Sequence, residues 1–304
     1  MELLQIASIK KTPLQQIFEP IFEQHNVKVF IKRDDLLHPV ISGNKWYKLK
    51  YNLDQAIGEN YKTLISFGGA YSNHLHALAF AGKQAGIQTV GIVRGELCEP
   101  LNDTLQFATD HGMTLHYVDR VTYRKKMQPS FLESLVEMYG RSYIIPEGGC
   151  NRLAVKGCRE IVYSIDEPFD VICCACGTGG TLAGLIAGLK GCQRALGVSV
   201  LKGAGFQVND IKVLLGEWSV APGVRWDINN EYHFGGYAKV SEKLKHFVLA
   251  FEEKHEIPIE PVYTGKMLYG LYELIRSGYF KCGETIVALH SGGLQGRDSA
   301  LSTC

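Results

Sequence analysis

The chain has 304 residues, 46% of them hydrophobic, with 32 Lys and Arg against 31 Asp and Glu. That is enough apolar material for one large or two modest cores, and the near-zero balance leaves no charge excess to attract nucleic acid or an anionic membrane surface. No apolar run reaches the roughly 20 residues that span a bilayer, and the opening "MELLQIASIKKTPLQQ" lacks a basic start followed by a long apolar core, so a cytoplasmic location is expected.

In chain order the apolar, β-branched runs are "VKVFI" (27–31), "KTLIS" (62–66), "QTVGIV" (88–93), "TLHYV" (114–118), "SYII" (142–145), "DVICCA" (170–175), "LGVSVL" (196–201) and "TIVAL" (285–289). Stretches with apolar spacing of three and four lie between several of them, such as "SNHLHALAFAGKQAG" (72–86). This alternation predicts βαβ units and mainly parallel sheets, and near-continuous apolar strands predict helices on both faces. Cys173 and Cys176 form a C-x-x-C inside a strand run. No second pair follows at zinc spacing, and a redox pair opens a helix rather than sitting in a strand. With Cys174 they read as small core residues, and no metal site is expected.

Three glycine-marked turns carry the chemistry. In the first, Gly43 and Asn44 deliver Lys45 to a helix start whose apolar side reads Trp46, Leu49, Leu53 and Ile57. A lysine there opposes the helix macrodipole, so no local effect favours the ammonium. The neutral amine is what a carbonyl needs to form an imine. In the second, Gly68-Gly69 precede Ser72 and Asn73, which either cap a helix or, with His74, offer backbone N–H groups to a substrate carboxylate. In the third, a strand ends in Gly177-Thr178-Gly179-Gly180-Thr181 and feeds a small-residue helix, an arrangement suited to a phosphate. Leu182 stands where a dinucleotide fingerprint needs its third glycine, and no acidic residue occurs from Val171 to Asn209 to hold a ribose. The Gly-Lys-Ser/Thr of a P-loop is absent too. A lone phosphate monoester, such as that of pyridoxal 5'-phosphate, fits best.

The motifs "IKRDDLL", "SGNKWYKL", "GGAYSNH", "IPEGG", "CGTGGTLAGL", "PVYTGKMLYGLYELI" and "LHSGG" follow one another in the order of the D-cysteine desulfhydrase and 1-aminocyclopropane-1-carboxylate deaminase family, which the chain resembles from Thr12 to Gly293. The resemblance implies a pyridoxal-phosphate enzyme of fold type II, tryptophan synthase β-like, with a small amino-acid substrate and a homodimeric state. It implies a larger cofactor-binding α/β domain from residues 1–49 and 149–304, with a smaller α/β domain inserted at 50–148. By the same resemblance Lys45 carries the cofactor, assisted by Lys48. Asn73 bonds the cofactor's phenolic oxygen, Gly177 to Thr181 hold its phosphate, and Ser72 stands beside the substrate. Tyr263 and Tyr237 are the two active-site tyrosines, the second in a departing context, "GGYAK".

Two positions divide this family. The deaminases have glutamate after the "PVY" tyrosine and leucine after the histidine of the last motif, where this chain has Thr264 and Ser291. A neutral Thr264 by the ring nitrogen implies a weaker electron sink than glutamate gives, which suits β-elimination of a good leaving group. The resemblance therefore favours D-cysteine desulfhydrase over 1-aminocyclopropane-1-carboxylate deaminase. A serine dehydratase or racemase-like activity and a non-catalytic pyridoxal-phosphate carrier stay open. Ser42, Tyr47, Lys50 and "GGLQG" depart from the family's usual residues.

Overall fold

The structure is a computed structural model and describes residues 11–216 and 218–302. The opening residues 1–10, part of the stretch read above for a secretory signal, lie outside it. Among the described residues ten strands form two sheets. The larger contains β1 (Leu14–Ile17), β2 (Lys28–Lys32), β7 (Val171–Cys176), β8 (Arg194–Ser199), β9 (Arg225–Asn229) and β10 (Thr285–Leu289), in the order β1-β2-β10-β7-β8-β9. All its pairings are parallel except β1 with β2. The smaller contains β3 (Thr63–Gly68), β4 (Gln88–Arg94), β5 (Met113–Val118) and β6 (Ser142–Ile145), ordered β5-β4-β3-β6 and wholly parallel. The α/β class with mainly parallel sheets is as expected, and every predicted strand is present.

Two strands escaped the sequence reading, β1 "LQQI" and β9 "RWDIN". Both are sheet edges, and both are polar and incompletely buried. The central strands β3 and β7 are buried at every residue. Cys173, Cys174 and Cys176 lie inside β7 as free thiols, and burial pushes Cys173 and Cys176 up to about 12. Among the described residues no helix is long and apolar enough to cross a membrane.

Three helices set the geometry of the site: Asn44–Gly58, Arg152–Tyr163 and Gly180–Gly188. They pack at backbone distance. A Cβ on Gly157 would lie 1.7 Å from the carbonyl oxygen of Tyr47, and one on Gly184 would lie 2.2 Å from the Cβ of Cys158. Glycine at these contacts lets the first and third helices clasp the second, which places their N-termini side by side. The expected domain boundary at residues 49 and 50 falls inside the Asn44–Gly58 helix.

Candidate active site

A cleft of about 670 Å³ opens where the loops after β3, β7 and β10 meet the N-terminus of the Asn44–Gly58 helix. Lys45, Lys48, Ser72, Asn73, His74, Gly177 to Gly179, Thr181, Tyr237, Tyr263 and Ser291 line it, whereas Gly180 and Thr264 do not.

The Lys45 turn is braced from below. Gly43 has φ +59, and a Cβ there would fall 1.9 Å from the carbonyl oxygen of Ser291, so only glycine fits. The Gly43 N–H donates to the Asp34 carbonyl at 2.8 Å, and the Asn44 N–H to the Ser291 carbonyl at 3.3 Å. The "IKRDDLL" motif is thus a support. Its Arg33 and Asp35 form a buried pair at 2.8 Å, and Asp34 accepts from Thr12 at 2.6 Å. Ser42, a departure from the family, accepts the Gly293 N–H at 3.4 Å. Lys45 donates from Nζ to Asn44 Oδ1 at 2.6 Å. Burial, and next the Lys48 ammonium, push its amine down to about 7. The sequence argument pointed the same way through the helix end, but burial is the larger cause. Lys48 reaches across to the Gly148 carbonyl at 3.1 Å.

The loop after β7 meets this turn directly, because Asn44 Nδ2 donates to Thr181 Oγ1 at 2.9 Å. Gly179 takes φ +80 at the N-cap of the Gly180–Gly188 helix, whose first N–H groups are free of helical partners. Gln207, which carried no sequence signal, clamps the loop from behind by donating to the Cys176 and Gly177 carbonyls at 3.2 and 2.5 Å. A Cβ on Gly180 would meet Cys150 Sγ at 2.9 Å, so that glycine serves packing as well.

Across the cleft, Ser72 caps the Asn73–Ala85 helix by accepting the Leu75 N–H at 3.2 Å, yet it also lines the cleft. Asn73 Oδ1 accepts from Gln295 at 2.5 Å, a partner that the sequence did not suggest. His74 is buried, with Nε2 2.9 Å from Ser66 Oγ. Burial first, then the two lysines, hold its pKa well below the usual imidazole range. Ser66 Oγ also sits 2.8 Å from the Ile145 carbonyl, to which it donates, so His74 Nε2 carries the proton and Nδ1 is a bare acceptor without a protein partner.

Tyr237 and Tyr263 form the third wall, their rings edge to face with centroids 6.0 Å apart. Burial raises both phenols above their ordinary pKa, Tyr263 the further. Thr264 is fully buried. Behind it lies a residue that sequence reasoning missed. Glu260, 3% exposed, accepts the backbone N–H groups of Val262, Tyr263 and Thr264 at 2.6, 2.9 and 2.5 Å. Burial nevertheless pushes its carboxyl up to about 7. A titratable carboxyl therefore stands beside Thr264, which its hydroxyl alone does not suggest. The available signal was an acid four residues before a helix start.

A glycine loop at a helix N-terminus, a buried amine of lowered pKa tied to it, and a bare polar atom at His74 together fit pyridoxal phosphate. A family model described as pyridoxal-phosphate dependent enzyme matches residues 7–292. A Pyrococcus horikoshii protein, named provisionally as a 1-aminocyclopropane-1-carboxylate deaminase, is 31% identical over 94% of this chain and 90% of its own. The bifunctional D-cysteine desulfhydrase/1-aminocyclopropane-1-carboxylate deaminase of Arabidopsis thaliana is 29% identical over 90% of this chain and 74% of its own. A crystal structure of a 1-aminocyclopropane-1-carboxylate deaminase homologue superposes with a TM-score of 0.78 at 28% identity, covering 99% of this chain and 98% of that one. The chain belongs to the pyridoxal-phosphate dependent enzymes, in the branch of the 1-aminocyclopropane-1-carboxylate deaminases and D-cysteine desulfhydrases. It is a lyase of fold type II whose cofactor is pyridoxal phosphate.

Proposed function

We propose that this lyase removes the β-thiol of D-cysteine, giving pyruvate, ammonia and hydrogen sulfide. The observation that carries the reading is the pair of hydroxyls at Thr264 and Ser291, where the deaminases have glutamate and leucine. Ser291 lines the cleft on the loop that backs Lys45. Pyridoxal phosphate, when bound, supplies the electron sink for charge left at the substrate's Cα. Its phosphate would rest on the N–H groups of Gly177 to Thr181, with Asn73 at its phenolic oxygen and Lys45 as the covalent anchor. Lys45, with its amine brought down to about 7, is suited to take up the Cα proton. Ser72 and the start of the Asn73–Ala85 helix receive the substrate carboxylate, while Tyr237 and Tyr263 close the cleft over the leaving sulfur. A homodimer, carried by the family resemblance, and the cytoplasmic location expected from the sequence belong to the same reading.

A second reading, 1-aminocyclopropane-1-carboxylate deaminase, is favoured by Glu260, which brings a buried carboxyl to the Thr264 N–H even though residue 264 is neutral. One experiment separates the two. Keto-acid release is measured side by side from D-cysteine, L-cysteine, D-serine and aminocyclopropane carboxylate. D-Cysteine is expected to be the fastest by at least about tenfold, a difference of ~1.4 kcal/mol in barrier. A faster aminocyclopropane carboxylate reverses the assignment. Borohydride reduction and peptide mapping of the same sample should place the pyridoxyl group on Lys45, and a label elsewhere removes the site.

A further inference from the structure

Lys266 is fully buried in the first turn of the Thr264–Arg276 helix. The positive end of a helix disfavours a cation there, and a buried ammonium needs partners to persist. Both partners found lie in one loop: Nζ donates to the His233 carbonyl at 2.9 Å and to the Gly236 carbonyl at 2.7 Å. The next residue is Tyr237. This loop is strained on either side of the tyrosine. Phe234 and Ala238 take φ 51 and 55, a region that side chains other than glycine's enter rarely, and Gly235 and Gly236 take 92 and 121. Such strain survives only where surrounding contacts over-determine it. The same helix supplies a second contact, since a Cβ on Gly270 would lie 2.8 Å from the Tyr232 ring.

We propose that Lys266 is a positioning residue, whose ammonium, caged by the His233 and Gly236 carbonyls, holds Tyr237 against Tyr263 at the cleft wall. The role of Tyr237 rests on the function proposed above; the clamp on its loop does not. Burial lowers the Lys266 amine to about 8, and the Glu260 carboxylate opposes that shift, so the cation is the dominant form at neutral pH.

Lys266→Met removes the charge at little change in volume. In the cofactor-loaded protein, amide exchange in the peptide covering residues 231–240 is expected to quicken about tenfold or more, with the Thr264–Arg276 helix within about twofold of wild type. With the best substrate of the panel, kcat/KM is expected to fall about 30-fold in K266M, but less than about twofold once Tyr237 is already Phe, because groups acting as a unit are non-additive. Equal losses in both backgrounds, or unchanged exchange in the loop, overturn the proposal. Should the Met variant not fold, Lys266→Gln is read the same way: wild-type loop exchange, or equal losses in both Tyr237 backgrounds, overturns it. A loop that loosens in a protein turning over none of the panel leaves the clamp standing and removes the proposed function instead.

Discussion

Lys45 and Lys48 face one cleft from successive turns of a helix, and the Lys48 ammonium makes Lys45 harder to keep charged. Ser72 combines two roles in one hydroxyl, a helix cap through its lone pair and a cleft-facing donor through its proton. Ser72→Ala is therefore expected to lose the cap, about 1 kcal/mol by urea unfolding, and to keep its pyridoxyl-Lys45 label while losing most turnover. Near-normal kinetics would leave it a cap only. Glu260 makes a pH prediction whose sign follows from its raised pKa. Below its ordinary value of 4.5 the carboxyl is neutral folded or unfolded, and no penalty arises. Between 4.5 and about 7 the unfolded chain ionises while the folded one holds its proton, so stability falls with rising pH and the loss is complete above 7. Measured by urea unfolding at pH 5 and pH 8, Glu260→Gln should gain on wild type by roughly 2–3 kcal/mol at the higher pH. A pH-independent difference would mean that Glu260 is ionised throughout.

At the scale of elements, glycine decides how closely the supporting parts approach. The Gly157 contact meets a backbone carbonyl, which cannot step aside as a side chain can. Gly157→Ala should cost about 2–3 kcal/mol by the same unfolding assay and lower cofactor affinity, because it parts the Lys45 helix from the helix behind it. Gly179→Ala places a Cβ 2.9 Å from Ile211 at φ +80. Pyridoxal phosphate should bind this variant at least about tenfold more weakly by fluorescence titration, about 1.4 kcal/mol, since the loop must move to relieve strain. Unchanged affinity would put the phosphate elsewhere. Gly43 and Gly179 were legible in the sequence because they sit at strand or helix ends beside polar residues. Gly157 and Gly184 were not, because a glycine within a helix looks the same whether it faces water or another backbone.

For the whole molecule, the cleft lies among loops from both sheets, so a ligand bound there joins parts distant in sequence. Removing pyridoxal phosphate should lower stability by about 2.7 kcal/mol relative to a hundredfold excess over Kd, or Tm by roughly 5 °C, in differential scanning fluorimetry. A Tm indifferent to the cofactor would mean that the cleft does not hold it. The strands β1 and β9, at the edges of the larger sheet, show why chain-local patterning stops short of the complete sheet: these two pair on one side, keep polar residues and carry little periodic signal.

The order of motifs, the eight apolar strands and the three glycine turns were determined by the sequence alone, because each rests on contacts between near neighbours: apolar runs, turn conformations, helix starts. Tertiary structure decided what those neighbours meet. It brought Asn44 to Thr181, Lys266 to the Tyr237 loop, and Gln207 behind the glycine loop after β7, pairs separated by 137, 30 and 31 residues. It also showed that Thr264 is not electrically alone. Glu260 stands only four residues away, yet burial sets its ionisation, which no local pattern records.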